Sequence, residues 1–141
     1  YLLLQNGVTL QVHETEDTIF SDEKWLCFIL NQLISNAVKY RRDPPVLTFR
    51  AVRNQDTLTL SLQDNGIGID ARDLPRIFDK GFTGQNGRRS APNATGLGLY
   101  LCKRLCDKLD IGLQAQSSPA GTTLSLTFRI NDFIHGVQGP L

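Results

Sequence analysis

No run of apolar residues in this 141-residue chain approaches the roughly 20 that a membrane-spanning helix needs. No signal-peptide pattern opens it either. Charge of one sign is equally scarce: Lys plus Arg is 15, Asp plus Glu is 14, and the net charge is +1. That balance gives no electrostatic basis for binding nucleic acid, an anionic membrane or a polybasic partner. Cysteine is sparse: Cys27, Cys102 and Cys106 are an odd number, with no C-x-x-C and apolar surroundings. The natural reading is a reduced cytosolic compartment, with the thiols as small core residues. Methionine is missing, and the chain opens abruptly on Tyr1. It therefore reads as a piece of a longer protein, and its lack of targeting signals says little about the whole.

What is present fits one globular domain. Hydrophobic residues are 40% and charged residues 21%, an ordinary soluble balance. Alternation predicts a strand within 2–12, with Val8, Leu10 and Val12 on one side. Ser21 can cap a helix running to about Arg41, with Asp22 and Glu23 in its first turn and Asp43-Pro44-Pro45 ending it. Its core stripe is Leu26, Ile29, Leu30, Leu33, Ala37 and Val38. Val46 to Val52 and Thr57 to Leu62 read as a hairpin. A short helix is expected from Asp70 through Phe78. A glycine-bearing loop spans Lys80 to Thr95, and a helix runs from Gly96 to about Leu109. Ile111 to Ala115 and Thr122 to Ile130 are the last strands, joined by a turn over 117–121. The fold class that follows is α+β: a two-layer sandwich of a mixed five-stranded sheet with about three helices on one face. The domain is expected to occupy 1–135, and 136–141 reads as a loose tail.

Three places carry chemistry. On the long helix, Gln32, Asn36, Lys39 and Tyr40 are spaced to share a face. The Asn36 carbonyl suits a hard cation such as Mg²⁺, and Lys39 could place a charge on phosphates. The alternative is a core amide bonded to backbone beside a solvated lysine. Next, Asp64 ends an apolar strand and is followed by Gly66 and Gly68. As an acceptor it suits the exocyclic amine of adenine, where guanine would present an oxygen. Equally, Asp-Asn-Gly could be a plain turn. Third, Thr95-Gly96-Leu97-Gly98-Leu99 enters a helix whose N–H groups welcome phosphate. No Gly-Lys-Ser/Thr follows, so this is no Walker loop, and no third glycine makes a dinucleotide fingerprint. Tight packing of a helix after a loop remains the bland reading.

Taken in order, Asn36-Ala37-Val38-Lys39-Tyr40, Asp64-x-Gly66-x-Gly68, Ile77-Phe78, Thr95-Gly96-Leu97-Gly98-Leu99 and Gly121-Thr122-Thr123 form a recognisable series. It resembles the ATP-binding catalytic domain of bacterial sensor histidine kinases, whose fold is shared with DNA gyrase, the mismatch-repair ATPase and the ninety-kilodalton heat-shock chaperone. The resemblance covers nearly the whole chain. It implies ATP and Mg²⁺ as cofactors, with Asn36 as the metal ligand and Asn36 and Lys39 as the catalytic pair. Lys39 and Tyr40 are implied as nucleotide contacts, and Asp64 as the adenine acceptor beside Gly66 and Gly68. Phe78 is implied as the lid anchor; Gly96, Leu97 and Gly98 as the phosphate side; and Thr122 as the threonine backing the adenine. The loop over 80–95 then resembles an ATP lid. Its start, Asp79-Lys80-Gly81-Phe82-Thr83-Gly84, is similar to the subgroup responding to antimicrobial peptides.

By the same resemblance, the γ-phosphate would pass to a histidine on a separate dimerisation domain of the same kinase, for relay to a response regulator. The whole protein would be a membrane homodimer with this domain on the cytoplasmic side. Neither His13 nor His135 has the acidic neighbour and following proline of a phosphoacceptor box. The sequence departs from the family pattern at Gln32, where an asparagine is usual, and at Ala94, where glycine is usual. Energy-coupling ATPases of the fold need an acid at the place held by Gln32, which cannot act as a base. A nucleotide-responsive switch and an anti-sigma-type serine kinase remain the other readings.

Overall fold

The structure, a computed structural model, describes residues 7–13, 21–82 and 97–130. Five strands and two α-helices follow one another as β1 (Thr9–Val12), α1 (Glu23–Lys39), β2 (Val46–Arg53), β3 (Thr57–Asp64), α2 (Gly98–Lys108), β4 (Gly112–Ser118) and β5 (Gly121–Arg129). A 3₁₀ turn at Leu74–Arg76 lies between β3 and α2. The strands form one sheet in the order β1-β2-β3-β5-β4. β1 runs parallel to β2, and every other neighbouring pair is antiparallel. The mixed five-stranded sheet expected from the sequence is therefore present.

Alternation decides which face is covered. Leu58, Leu62, Leu113, Leu124, Leu126 and Phe128 point to one face and are buried there. All but Leu58 meet Ile29, Leu33 and Ala37 of α1 and Cys102 and Cys106 of α2 in a single core. The register pairs like with like on the opposite face, where Ser61 meets Ser125 at 3.3 Å and Thr59 meets Thr127 at 3.4 Å. The two layers thus follow from burying each apolar stripe once.

Several boundaries move. α1 is capped by Asp22, whose carboxylate accepts the Trp25 N–H at 3.2 Å, and not by Ser21. It ends at Lys39. The helix expected over 70–78 is reduced to three 3₁₀ residues. Pro75 has no N–H to give, so the segment is held by separate turns, Leu74 N to Asp70 O (3.1 Å) and Arg76 N to Asp73 O (2.8 Å). α2 begins at Gly98, and Asp110 beyond it takes a left-handed φ of 59°, which lets Ile111 N reach back to Cys106 O at 2.8 Å. The last hairpin is tighter than expected: Ser118 pairs directly with Gly121, leaving Pro119-Ala120 as the loop. Cys102 and Cys106 are fully buried, whereas Cys27 is exposed on α1, against the expectation of three core thiols. Burial pushes the thiols up, Cys102 to about 12 and Cys106 to about 11. The expected tail at 136–141 and most of the loop over 80–95 lie outside the described residues.

Candidate functional site

Asp64 is the last residue of β3, and two later pieces of chain converge on it. Its Oδ1 accepts the Gly66 N–H at 2.8 Å and the Thr122 N–H at 3.1 Å. The first bond is the Asp-x-Gly turn that the bland reading required. The second ties the loop to the start of β5. Both fall on Oδ1. Oδ2 takes no bond from a described residue. Burial raises the Asp64 carboxyl above its ordinary value of 3.8, and the two N–H donors pull in the other direction. The turn thus occupies one oxygen of this residue and leaves the other without a bond from a described residue.

The glycines around it are there for space. A Cβ on Gly66 would stand 2.5 Å from the carbonyl oxygen of Tyr40. One on Gly121, at φ +142°, would strike the Asp64 carbonyl oxygen. Gly68, at φ +78°, lies against the Ser118 carbonyl. Only glycine lets the three backbones meet around the carboxylate.

Behind Asp64 sits a hydroxyl pair, in which the expected Thr122 is joined by Ser117, a residue not singled out from the sequence. Ser117 Oγ accepts the Ile69 N–H at 2.7 Å and lies 2.9 Å from Thr122 Oγ1. Thr122 is the one buried polar residue among those described. Asn65 has a structural task as well: its Nδ2 donates to Pro44 O at 2.9 Å and its Oδ1 accepts from Val46 N at 2.8 Å. It pins the α1–β2 connection under the loop. Ser117 carries no sequence signal beyond its place one residue before the end of β4. Asn65 had one, its position in Asp-Asn-Gly, where it read as part of the turn alone.

The helix residues reach this pocket through Tyr40. Its carbonyl accepts the Ile67 N–H at 3.1 Å and abuts Gly66, joining the end of α1 to the Asp64 loop. Burial raises the Tyr40 hydroxyl above its ordinary value. Asn36, one turn back, is half-buried, and its amide bonds to no described residue. The alternative of a core amide satisfied by backbone is thereby set aside among the described residues. Lys39 is exposed at the helix end. Among the described residues no group of three or more His, Cys, Asp or Glu could hold a metal ion. The Asn36 carbonyl is an oxygen donor that could contribute to a divalent-ion site completed by phosphate and water. Mg²⁺ chemistry tolerates that arrangement.

On the opposite wall α2 starts with no side-chain cap, and Leu97 stands partly exposed before it. Gly98 faces Gln32 of α1, whose Oε1 lies 2.7 Å from where a Cβ would be. The start of α2 thus meets the Gln32–Asn36 face of α1. Phe78 is half-buried and packs on the core from the side of the 3₁₀ turn. Gly96 lies outside the described residues. A carboxylate oxygen and an amide that take no bond from a described residue, and a helix start without a side-chain cap, are groups suited in turn to an amine-bearing base, a cation and an anion.

Comparisons with known proteins place the chain in a family. Residues 21–132 match the family model for the histidine kinase-, DNA gyrase B-, and HSP90-like ATPase. Sensor protein BceS of Bacillus subtilis is 39% identical over 137 residues, which is 96% of this chain and 40% of BceS. The chain therefore spans about two-fifths of the length of that curated relative. Among solved structures, a mycobacterial sensor histidine kinase, MprB, superposes with a TM-score of 0.80 at 19% identity, over 91% of this chain and 88% of that one. Full-length ShkA in complex with AMPPNP superposes at 0.72 and 22% identity, over 89% of this chain and 26% of ShkA. At these identities the superpositions speak for the fold, and the family match over most of the chain speaks for descent: the protein belongs to the histidine kinase-, DNA gyrase B- and HSP90-like ATPase family.

Proposed function

We propose that this chain binds Mg-ATP and serves as the catalytic domain of a sensor histidine kinase, presenting the γ-phosphate to a histidine on a separate dimerisation domain. The observation that carries the reading is the split role of Asp64. Oδ1 is taken by two backbone N–H groups, and Oδ2 takes no bond from a described residue. An ionised carboxylate held in that way accepts an amine and repels a carbonyl, so it selects adenine over guanine. Asn36 would hold the metal on the phosphates, Lys39 would add charge, and the start of α2 at Leu97 and Gly98 would face phosphate oxygens. Gly96 belongs to the same proposal by its place in the motif. Tyr40, Gly66, Gly68 and Thr122 would shape the adenine pocket, and Phe78 would anchor the segment that covers it.

Gln32 stands where an energy-coupling ATPase of this fold would need an acid. It has no carboxylate to activate water, and that favours transfer to a protein acceptor over hydrolysis. Similarity to the sensor protein BceS over 96% of the chain favours a sensor kinase over a serine kinase, and the start of the lid, Asp79-Lys80-Gly81-Phe82-Thr83-Gly84, favours the subgroup responding to antimicrobial peptides. The partners would be the histidine-bearing domain of the same kinase and a response regulator, in a membrane homodimer with this domain on the cytoplasmic side. Among the described residues no helix is long and apolar enough to cross a membrane.

Titration of the purified chain with ATP, with and without Mg²⁺, tests the reading. Saturable binding that weakens on removing the metal is expected. No measurable binding with the metal supplied would overturn it.

A further inference from the structure

Gln32 lies one turn before Asn36 on α1, and its side chain crosses to the first residue of α2. Its Oε1 is 2.7 Å and its Cδ 3.8 Å from the position a Cβ of residue 98 would occupy. Those are the neighbours that a side chain there would meet among the described residues. Gly98 does not have a left-handed φ, unlike Gly68 and Gly121. It is an ordinary helical residue, and helical positions favour alanine over glycine. Conformation therefore gives no reason for glycine here. An alanine there would have to displace the free end of the Gln32 side chain.

We propose that Gln32 is a positioning residue whose amide, seated in the notch left by Gly98, sets how closely the start of α2 approaches the Asn36 face of α1. The inference rests on the nucleotide reading above and adds to it. Cation and phosphate would be gripped from two helices, and their grip depends on the spacing between those helices. The Gln32–Gly98 pair fixes that spacing at the point of contact. A glutamine reaches the notch, and an asparagine, one methylene shorter, would stop short. Long side chain and missing side chain are thus complementary: a shorter residue at 32 should tolerate a larger one at 98.

A double-mutant cycle reads this directly. The four proteins are the wild-type chain, Gln32→Asn, Gly98→Ala and the double variant, each titrated with Mg-ATP and with adenosine, and each unfolded in urea. Gly98→Ala alone is expected to weaken Mg-ATP binding about tenfold, and Gln32→Asn about threefold. The double variant is expected to bind about as well as Gln32→Asn, so that the alanine costs nothing once the glutamine is shortened. Adenosine affinity, which reads the Asp64 end, should stay level across the set. If the two losses simply multiply in the double variant, the pair is uncoupled and the inference falls. It also falls if adenosine and Mg-ATP weaken in parallel with the urea midpoint, because that marks general loosening of the fold. Wild-type chain that binds no nucleotide would overturn the functional reading itself, and that result appears before any variant is compared.

Discussion

The Thr122 amide donates to Asp64 Oδ1 at 3.1 Å, joining residues 58 apart in the chain. That bond fixes the rotamer of the carboxylate and, with the Gly66 bond, leaves Oδ2 as the atom available to a ligand. The central feature of the site is this division of one side chain into a structural oxygen and a functional one.

Asp64→Asn tests the division. The amide oxygen can keep both backbone bonds, which turns the NH₂ group toward the pocket. An adenine amine would then meet a donor. ATP affinity is expected to fall at least about 100-fold, while circular dichroism and the urea midpoint show a folded chain.

The same variant has a pH signature. Burial raises the Asp64 carboxyl above 3.8 in the folded chain. The folded state then binds that proton more tightly than the unfolded chain does, so stability declines as pH rises from the ordinary carboxylate range through the raised value. Above that value the contribution is level. Urea unfolding followed against pH should show this decline in the wild type and lose it in Asp64→Asn.

Ser117→Ala probes the hydroxyl pair. It strands the Ile69 N–H and removes the partner of Thr122 Oγ1. A buried polar group left unpaired costs about 1–3 kcal/mol, so the urea midpoint should drop accordingly. Adenine nucleotides should bind more weakly, since Thr122 carries the second bond to Asp64.

Asn36→Ala should behave in the opposite manner. The amide has no partner among the described residues, so stability is expected to change by less than about 0.5 kcal/mol. The Mg²⁺-dependent part of ATP affinity should disappear, leaving adenosine binding intact. Calorimetry with and without chelator separates the two.

The thiols give a check on packing. Cys27 is exposed, while Cys102 and Cys106 are buried, with pKa values pushed to about 12 and about 11. The thiolate is the reactive form. At neutral pH one of the three thiols should react quickly with a disulfide reagent, and the others after unfolding in urea.

Much of this was readable from residues alone, for reasons that differ by element. The helix over 23–39 and the strands of the sheet announce themselves through apolar spacing, because a buried face repeats with the element's period. Asp64, Gly66 and Gly68 could be singled out because an acid and two glycines after an apolar strand are hard to explain by burial. The 3₁₀ turn was overestimated as a helix because acidic residues and apolar spacing hid the effect of Pro75 on the backbone ladder. Ser117 and the Gln32–Gly98 contact were not legible. A single serine in a polar strand looks like any other. The fit of a glutamine into a glycine's notch depends on the distance between two helices, which no local pattern encodes.

The most direct test compares ATP with GTP in the presence of Mg²⁺, by calorimetric titration of the wild-type chain and of Asp64→Asn. Saturable heat is expected for ATP and none for GTP with the wild type, with loss of the ATP signal in the variant. Equal binding of the two nucleotides, or an Asp64→Asn chain that binds ATP as the wild type does, would contradict the role of Asp64.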